Sequence, residues 1–269
     1  MGVCDISMLI VKYATFSLPR WGWIPVWITY QPDLFLYIRI GNMLYFYLQH
    51  VQYIGSILLA FNRYQAIVKP IDYKAKWERN SMSRYLAVQW LVPAFVPIPI
   101  VWAKMEVKNH DSSTLTASIE EKVLLYYVLG NALVGLVGVA IIAPLYSLAL
   151  HGIWKIRKQK HSGSGSEEKR RNTEVKLALS GCVIFVSMLL YVSFFWLMLF
   201  MLLFVRDGHS AFKVRPLFQI FGDVFCWNNV YVLLLMSSAC RKHFVALVTG
   251  REPAASIAVK PIARKTKKR

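Results

Sequence analysis

The residues able to do chemistry in this chain are polar side chains set into long apolar runs. Tyr45, Gln49, Gln52, Ser56 and Arg63 recur at spacings of four, three, four and seven. At 3.6 residues per helical turn these positions share one face. Amides, hydroxyls and a guanidinium on one face offer hydrogen bonding and ion pairing, which is the chemistry of recognition and switching. Asp223 is the single acidic residue inside the last apolar run. A carboxylate at membrane depth reads as a functional site by default. Its candidate partners are Gln219 one turn before, Trp227 one turn after, or a cation on a ligand; the alternative is a neutral carboxyl kept protonated by burial. Asn228, Asn229 and Tyr231 follow toward the inner half of the same run, where amides need partners on another helix or in ordered water. Asn62-Arg63-Tyr64 stands where the apolar helix carrying the polar face runs out into a basic loop.

The elements that must hold these residues are membrane helices. The 269-residue chain is 56% hydrophobic and only 17% charged, and its apolar residues come in long blocks. A span needs about twenty apolar residues. Clear spans are predicted over 85–103, 123–150, 175–205 and 217–238, and over 41–67, which carries no charge before Arg63. Pro93, Pro97 and Pro99 fall in the first of these and Pro144 in the second. Residues 1–18 are less clear, since Asp5 and Lys12 interrupt them. Residues 19–33, with Trp21, Trp23 and Trp27, suit a membrane-interface belt. A polar loop is expected over 104–121, a flexible basic loop over 151–172, and a short surface helix over 241–248. The expected fold class is all-α: a polytopic membrane helical bundle over 1–250, followed by a basic cytoplasmic tail at 251–269.

The net charge of +18 could suggest nucleic acid. Its distribution argues against that. Of the 32 Lys and Arg residues, 6 lie in 62–84, 8 in 151–176 and 9 beyond 239. All three segments fall on one side of the bundle, which the positive-inside rule places in the cytoplasm. Nucleic acid is therefore not an expected partner; the lipid bilayer is.

Catalytic readings are weak. An intramembrane aspartyl protease needs two carboxylates, and only Asp223 lies securely within a span. The four cysteines and six histidines show no metal-binding spacing. No enzyme activity, metal or cofactor is expected. A transporter would show repeated halves, and no internal repeat is evident.

Asn62-Arg63-Tyr64, then Ile67-Val68-Lys69-Pro70 and Tyr73…Trp77, resemble the third-helix signature of nematode serpentine chemoreceptors. The pattern is most similar to the Srg superfamily, classes V and gamma. Ala143-Pro144-Leu145-Tyr146 and Asn228 to Tyr231 are similar to further family positions. The resemblance implies a seven-transmembrane, G-protein-coupled-receptor-like bundle, here expected to begin inside the second helix and so to hold about six. It implies chemosensory signalling: a small-molecule ligand in the outer half and a heterotrimeric G protein at the inner face. On that reading Tyr45, Gln49, Gln52, Trp196 and Asp223 border the ligand, and Asn62, Arg63, Tyr64, Asn229 and Tyr231 form the G-protein switch. Asn62 stands where better-known receptors carry Asp, the last-helix motif lacks its Pro, and no cysteine lies near Gly41 or in 104–121. The implied location is the plasma membrane, with the C-terminus in the cytoplasm. Two alternatives remain: a truncated, non-signalling membrane remnant and a small-solute transporter.

Overall fold

A computed structural model describes residues 2–17, 32–69, 73, 77, 79–111, 114–159, 165–205, 220–228, 231, 241, 245–246 and 249. The first helix, α1 (Gly2–Lys12), continues as a π-helical stretch over Tyr13–Ser17. Helix α2 (Pro32–Val68) has 37 residues. At 1.5 Å per residue it runs about 55 Å and overreaches a hydrocarbon core of about 30 Å. Helix α3 (Arg79–Leu91) leads into two 3₁₀ turns, Val92–Phe95 and Ile98–Val101. A strand pair follows, β1 (Met105–Asp111) and β2 (Thr114–Ile119). Two long helices come next, α4 (Glu121–Gln159) and α5 (Gly165–Phe200), the latter ending in a π-helical Met201–Val205. Residues 220–228 are helical and are called α6.

Three expectations change in detail. The span over 85–103 is not one α-helix. Pro93, Pro97 and Pro99 lack the N–H that an α-helix needs, so the chain tightens into 3₁₀ turns whose bonds run from Val96 to Pro93 and from Ile100 to Pro97. The polar loop over 104–121 is an antiparallel hairpin pairing Met105 with Ile119 and Val107 with Ala117, with an irregularity between Asn109 and Asp111. The flexible loop over 151–172 is mostly helix, because α4 runs on to Gln159 and α5 starts at Gly165. Glu167 to Arg171 is rich in strong helix formers, and serine and glycine flank that run only on one side. The expectations for 19–31, 241–248 as a whole and the tail lie outside the described residues.

By length and composition three described helices can cross a membrane: Ser81–Val101, Lys122–Lys155 and Leu179–Phe200. Helix α2 is long enough, but its Tyr, Gln, Asn and His residues lower its hydropathy. Those residues are buried instead: Asn42, Gln49, His50, Gln52 and Ser56 all lie in the interior. Large apolar side chains such as Leu133, Val137, Leu148, Val186 and Leu190 face outward. This is the arrangement hydrocarbon imposes, with lipid wetting the apolar surface and polar groups turned to one another.

Helix α4 packs along both α2 and α5. Its core is Tyr53, Ala60, Ala132, Ile142, Tyr146, Met188, Tyr191 and Phe195 with Phe225 from α6. A second core joins α1 to α2 and α4 through Cys4, Met8, Phe46, Val51, Ile100, Tyr127 and Cys226. Small residues allow the close approaches. A Cβ on Gly181 would strike the ring of Tyr146, and one on Gly41 would strike the side chain of Thr15. Nothing lies near a Cβ at Gly130.

These glycines give a paired prediction. Gly181→Val should lower the unfolding midpoint of the chain in detergent by several degrees. Gly130→Ala should raise it slightly, since the exchange improves a helix interior by about 1 kcal/mol where there is room. Equal tolerance of both substitutions would contradict the packing of α4 on α5.

Candidate functional site

The polar face of α2 meets three other elements in one buried cluster. Gln49 donates from Nε2 to the hydroxyls of Tyr53 and Tyr191, at 3.2 Å and 3.1 Å. The Tyr45 and Tyr191 hydroxyls are 3.0 Å apart. Gln52 donates to a carboxylate oxygen of Asp5 at 2.6 Å and to the Cys226 sulfur at 3.3 Å. Gln49, Gln52, Tyr53, Tyr191 and Asp5 are all fully buried. Tyr191 stacks on Phe225 at 5.5 Å and meets Phe195 edge-on at 5.1 Å, so its hydroxyl is held by rings on both sides.

Asp223 does not pair with Trp227 or wait for a ligand cation. Its Oδ1 lies 2.6 Å from Lys12 Nζ, and its Oδ2 accepts from the Tyr13 hydroxyl at 3.0 Å. The physical reason is burial: a lysine deep in a bundle must find a counter-charge, and Lys12 is 4% exposed against 21% for the Asp223 side chain. Gly222 is where the ion pair meets the tyrosine network. A Cβ there would fall 3.2 Å from Tyr191 Cε2 and 3.4 Å from Lys12 Nζ. Glycine leaves room for both.

Tyr45, Gln49, Gln52 and Asp223 are thus brought together, as their phase and depth suggest. Trp196 is not: it is 38% exposed, while its neighbour Phe195 enters the core. An indole with one polar atom suits that outer surface. Sequence reasoning missed Asp5, Lys12, Tyr13, Tyr53 and Tyr191. For the first two the signal was present but read as a mark against a membrane helix. A charge that breaks an apolar run can also be a charge that needs a partner.

Arg63 lies eleven residues inward of Gln52, about 16 Å along the helix. Asn62, Arg63 and Tyr64 are half-buried. Arg63 stands within electrostatic reach of Tyr146, the residue whose ring excludes any side chain at Gly181. Asn228 donates to the Ser187 hydroxyl, joining α6 to α5. Tyr231 is exposed and stacks on Trp227 at 5.1 Å, away from the interior. Asn229 lies outside the described residues. The cluster above and the Arg63 end below are connected by one continuous helix, so a rotation or shift of α2 moves both.

The sequence of residues 1–249 matches the family described as serpentine type 7TM GPCR chemoreceptor Srv. The chain is also similar to a protein of Caenorhabditis elegans named serpentine receptor class V-1. The two are 26% identical over 247 residues, covering 91% of this chain and 75% of that protein. Of the two classes suggested by the third-helix signature, the match is to class V.

The ion pair gives a test. Lys12→Met strands a carboxylate and Asp223→Leu strands an ammonium, and each should cost about 3–5 kcal/mol. The double substitution should restore most of the loss. Folded yield and unfolding midpoint in detergent measure it; additive losses in the double variant would mean the two groups do not pair.

Proposed function

The chain belongs to the Srv family of serpentine seven-helix chemoreceptors, and on that premise we propose that it is a chemosensory receptor. In this reading a small molecule binds in the outer half of the bundle, and a heterotrimeric G protein engages the inner face. The observation that carries the reading is the buried hydrogen-bonded cluster of α1, α2, α5 and α6, set on the same helix as Arg63.

The cluster has the properties a ligand-controlled element requires. Four elements converge on it, and each contact depends on side-chain geometry that a guest molecule could alter. Among the described residues, no hydrogen-bond donor meets the buried Gln49 Oε1 or Gln52 Oε1. Such acceptors are costly when left unpaired, and a donor on a ligand would offset that cost. Tyr45, Gln49, Gln52 and Asp223 are the proposed contacts. Trp196, on the outer surface, is the weakest member of the set and would act only if the ligand entered from lipid.

Ligand control requires different affinities for two helix packings. Helix α6 is the element suited to differ between them. It is held by Lys12 of α1 through Asp223, by Gln52 of α2 through Cys226, and by Ser187 of α5 through Asn228. Each tie is one or two hydrogen bonds, and a molecule that replaces one of them biases where α6 sits. Asn62, Arg63 and Tyr64, with Asn229 and Tyr231 on the last helix, would form the surface that responds. The proposed location is the plasma membrane with the C-terminus in the cytoplasm.

One cell-based experiment tests this. The full chain carries epitope tags at each end and in the β1–β2 hairpin, and is co-expressed with a promiscuous G-protein α subunit and a calcium reporter. The hairpin tag should be reached by antibody in intact cells and the C-terminal tag only after permeabilisation. A panel of small polar and volatile compounds should include one that evokes calcium release. Arg63→Ala should abolish that response at unchanged surface level. A hairpin tag hidden in intact cells would favour the retained remnant instead. A response that survives Arg63→Ala would remove Arg63 from the switch.

A further inference from the structure

Four buried neutral oxygens meet no hydrogen-bond donor among the described residues: Gln49 Oε1, Gln52 Oε1, Ser56 Oγ and Asn131 Oδ1. Two of them are fixed in that condition by what their own amides hold. An ionised carboxylate only accepts, so the Gln52 amide turns Nε2 to Asp5 and its oxygen is left over. A backbone carbonyl only accepts too, so Asn131 Nδ2 faces Tyr127 O at 2.8 Å and Oδ1 points elsewhere. Asn131, on α4, lies at the level of the cluster on α2. A Cβ on Gly135 would lie 3.5 Å from the Tyr53 hydroxyl, and one on Gly138 3.9 Å from Ile57 Cδ1. The two helices therefore run side by side in one direction, and one turn outward of this contact Asn131 stands level with Gln49. The opposite lack is rare. Among the described residues the one buried side-chain nitrogen without an acceptor is Arg39 Nε, ten residues outward of Gln49.

We propose that the molecule this cluster accepts is a small organic ammonium, whose N–H groups meet the oxygens of Gln52, Ser56 and Asn131. The inference rests on the receptor reading for placing a ligand here, and adds its chemical class. A buried acceptor left unpaired is costly, and a guest recovers that cost only by donating. A ketone, an ester or a carboxylate brings further acceptors and adds to the excess. Ordered water donates as well, but a charged N–H makes the stronger bond and displaces it. Charge points the same way. The carboxyl and amino side chains of the cluster are Asp5, Asp223 and Lys12, two carboxylates against one ammonium. A cationic guest brings that set toward neutrality, and an anionic one takes it further away. One ammonium nitrogen also carries several donors, so it can serve more than one of these oxygens at once.

The test uses the full chain in lipid nanodiscs and reads the unfolding midpoint, which rises with a guest that binds only the folded state. The probes are propylammonium, propanoate and propanone at equal concentration and ionic strength, with sodium chloride as a further arm. Propylammonium should raise the midpoint and the others should not. No rise with propylammonium, or an equal rise with propanoate, propanone or sodium, would overturn the proposal; sodium carries the charge without the N–H. Asn131→Leu and Ser56→Ala each remove one of the orphaned oxygens. Without probe neither should lower the midpoint, and in each the affinity for propylammonium should fall about tenfold, the scale of one hydrogen bond to a charged group. A lowered midpoint would mean that the oxygen already holds a donor in the folded protein, and an unchanged affinity would remove it from the site; either result overturns the proposal. If one variant fails to fold, the other decides. The calcium assay in cells judges the receptor reading separately. A chain that propylammonium stabilises and no compound activates keeps the site and loses the receptor. Activation by propanoate or propanone keeps the receptor and loses this ligand class.

Discussion

The bundle is organised by a requirement of its solvent: in hydrocarbon, a buried charge or amide must be answered by another protein group. Lys12 and Asp223 are the sharpest case. A charge at that depth is costly without a counter-charge, and together they tie α1 to α6 across 211 residues of sequence. Burying the pair is not a strong source of stability, because desolvation offsets most of the attraction. What the pair supplies is selectivity. Packings of α1 that separate the two charges are penalised far more than the native packing is favoured. The Asp5–Gln52 and Gln49–Tyr191 bonds apply the same rule one layer away.

The inner end depends on close packing more than on polar ties. Gly181 lets the Tyr146 ring approach α5 closely, and Tyr146 in turn stands by Arg63. Gly135 and Gly138 admit Val192 and Met188 in the same manner further up α4. The outer part of the bundle is thus held by directional bonds, and the part below it by shape. A change in the directional layer alters which shapes can fit underneath. The two layers are coupled in this way through α2, α4 and α5 alone.

Much of this was legible in the residues. The polar stripe of α2 gave its buried face, because a helix in lipid turns such a stripe inward. The prolines of the third helix marked where its hydrogen bonding would change, though not that it would become 3₁₀. The hairpin over 105–119 was missed: Val107, Thr114, Thr116 and Ile119 favour strands, but the run is polar enough to read as a loop. That Asp223 would need a partner was legible, and which partner was not. Pairing across 211 positions is decided by how helices assemble, and a single sequence holds no direct record of that. That Trp196 and Tyr231 are exposed was hidden for a related reason, since depth alone cannot say which side of a helix looks inward.

The π-helical stretch at Tyr13–Ser17 bears on how this chain could tolerate change in length. Lys12 and Tyr13 are neighbours in sequence, and on a regular helix their side chains would diverge by about 100°. Here both reach the two oxygens of one carboxylate, at the point where the helix widens. A π turn holds an extra residue relative to an α turn. Losing one residue from this stretch would let the backbone relax into ordinary helix, so the fold as a whole could accommodate the deletion. Tyr13 and Thr15 lie within the stretch itself, so the same loss would shift them against Asp223 and Gly41. Single-residue insertions and deletions are ordinarily expected to be harmless in loops and ruinous in helices. At this position the backbone would absorb the loss, and the register of the buried contacts would carry the damage.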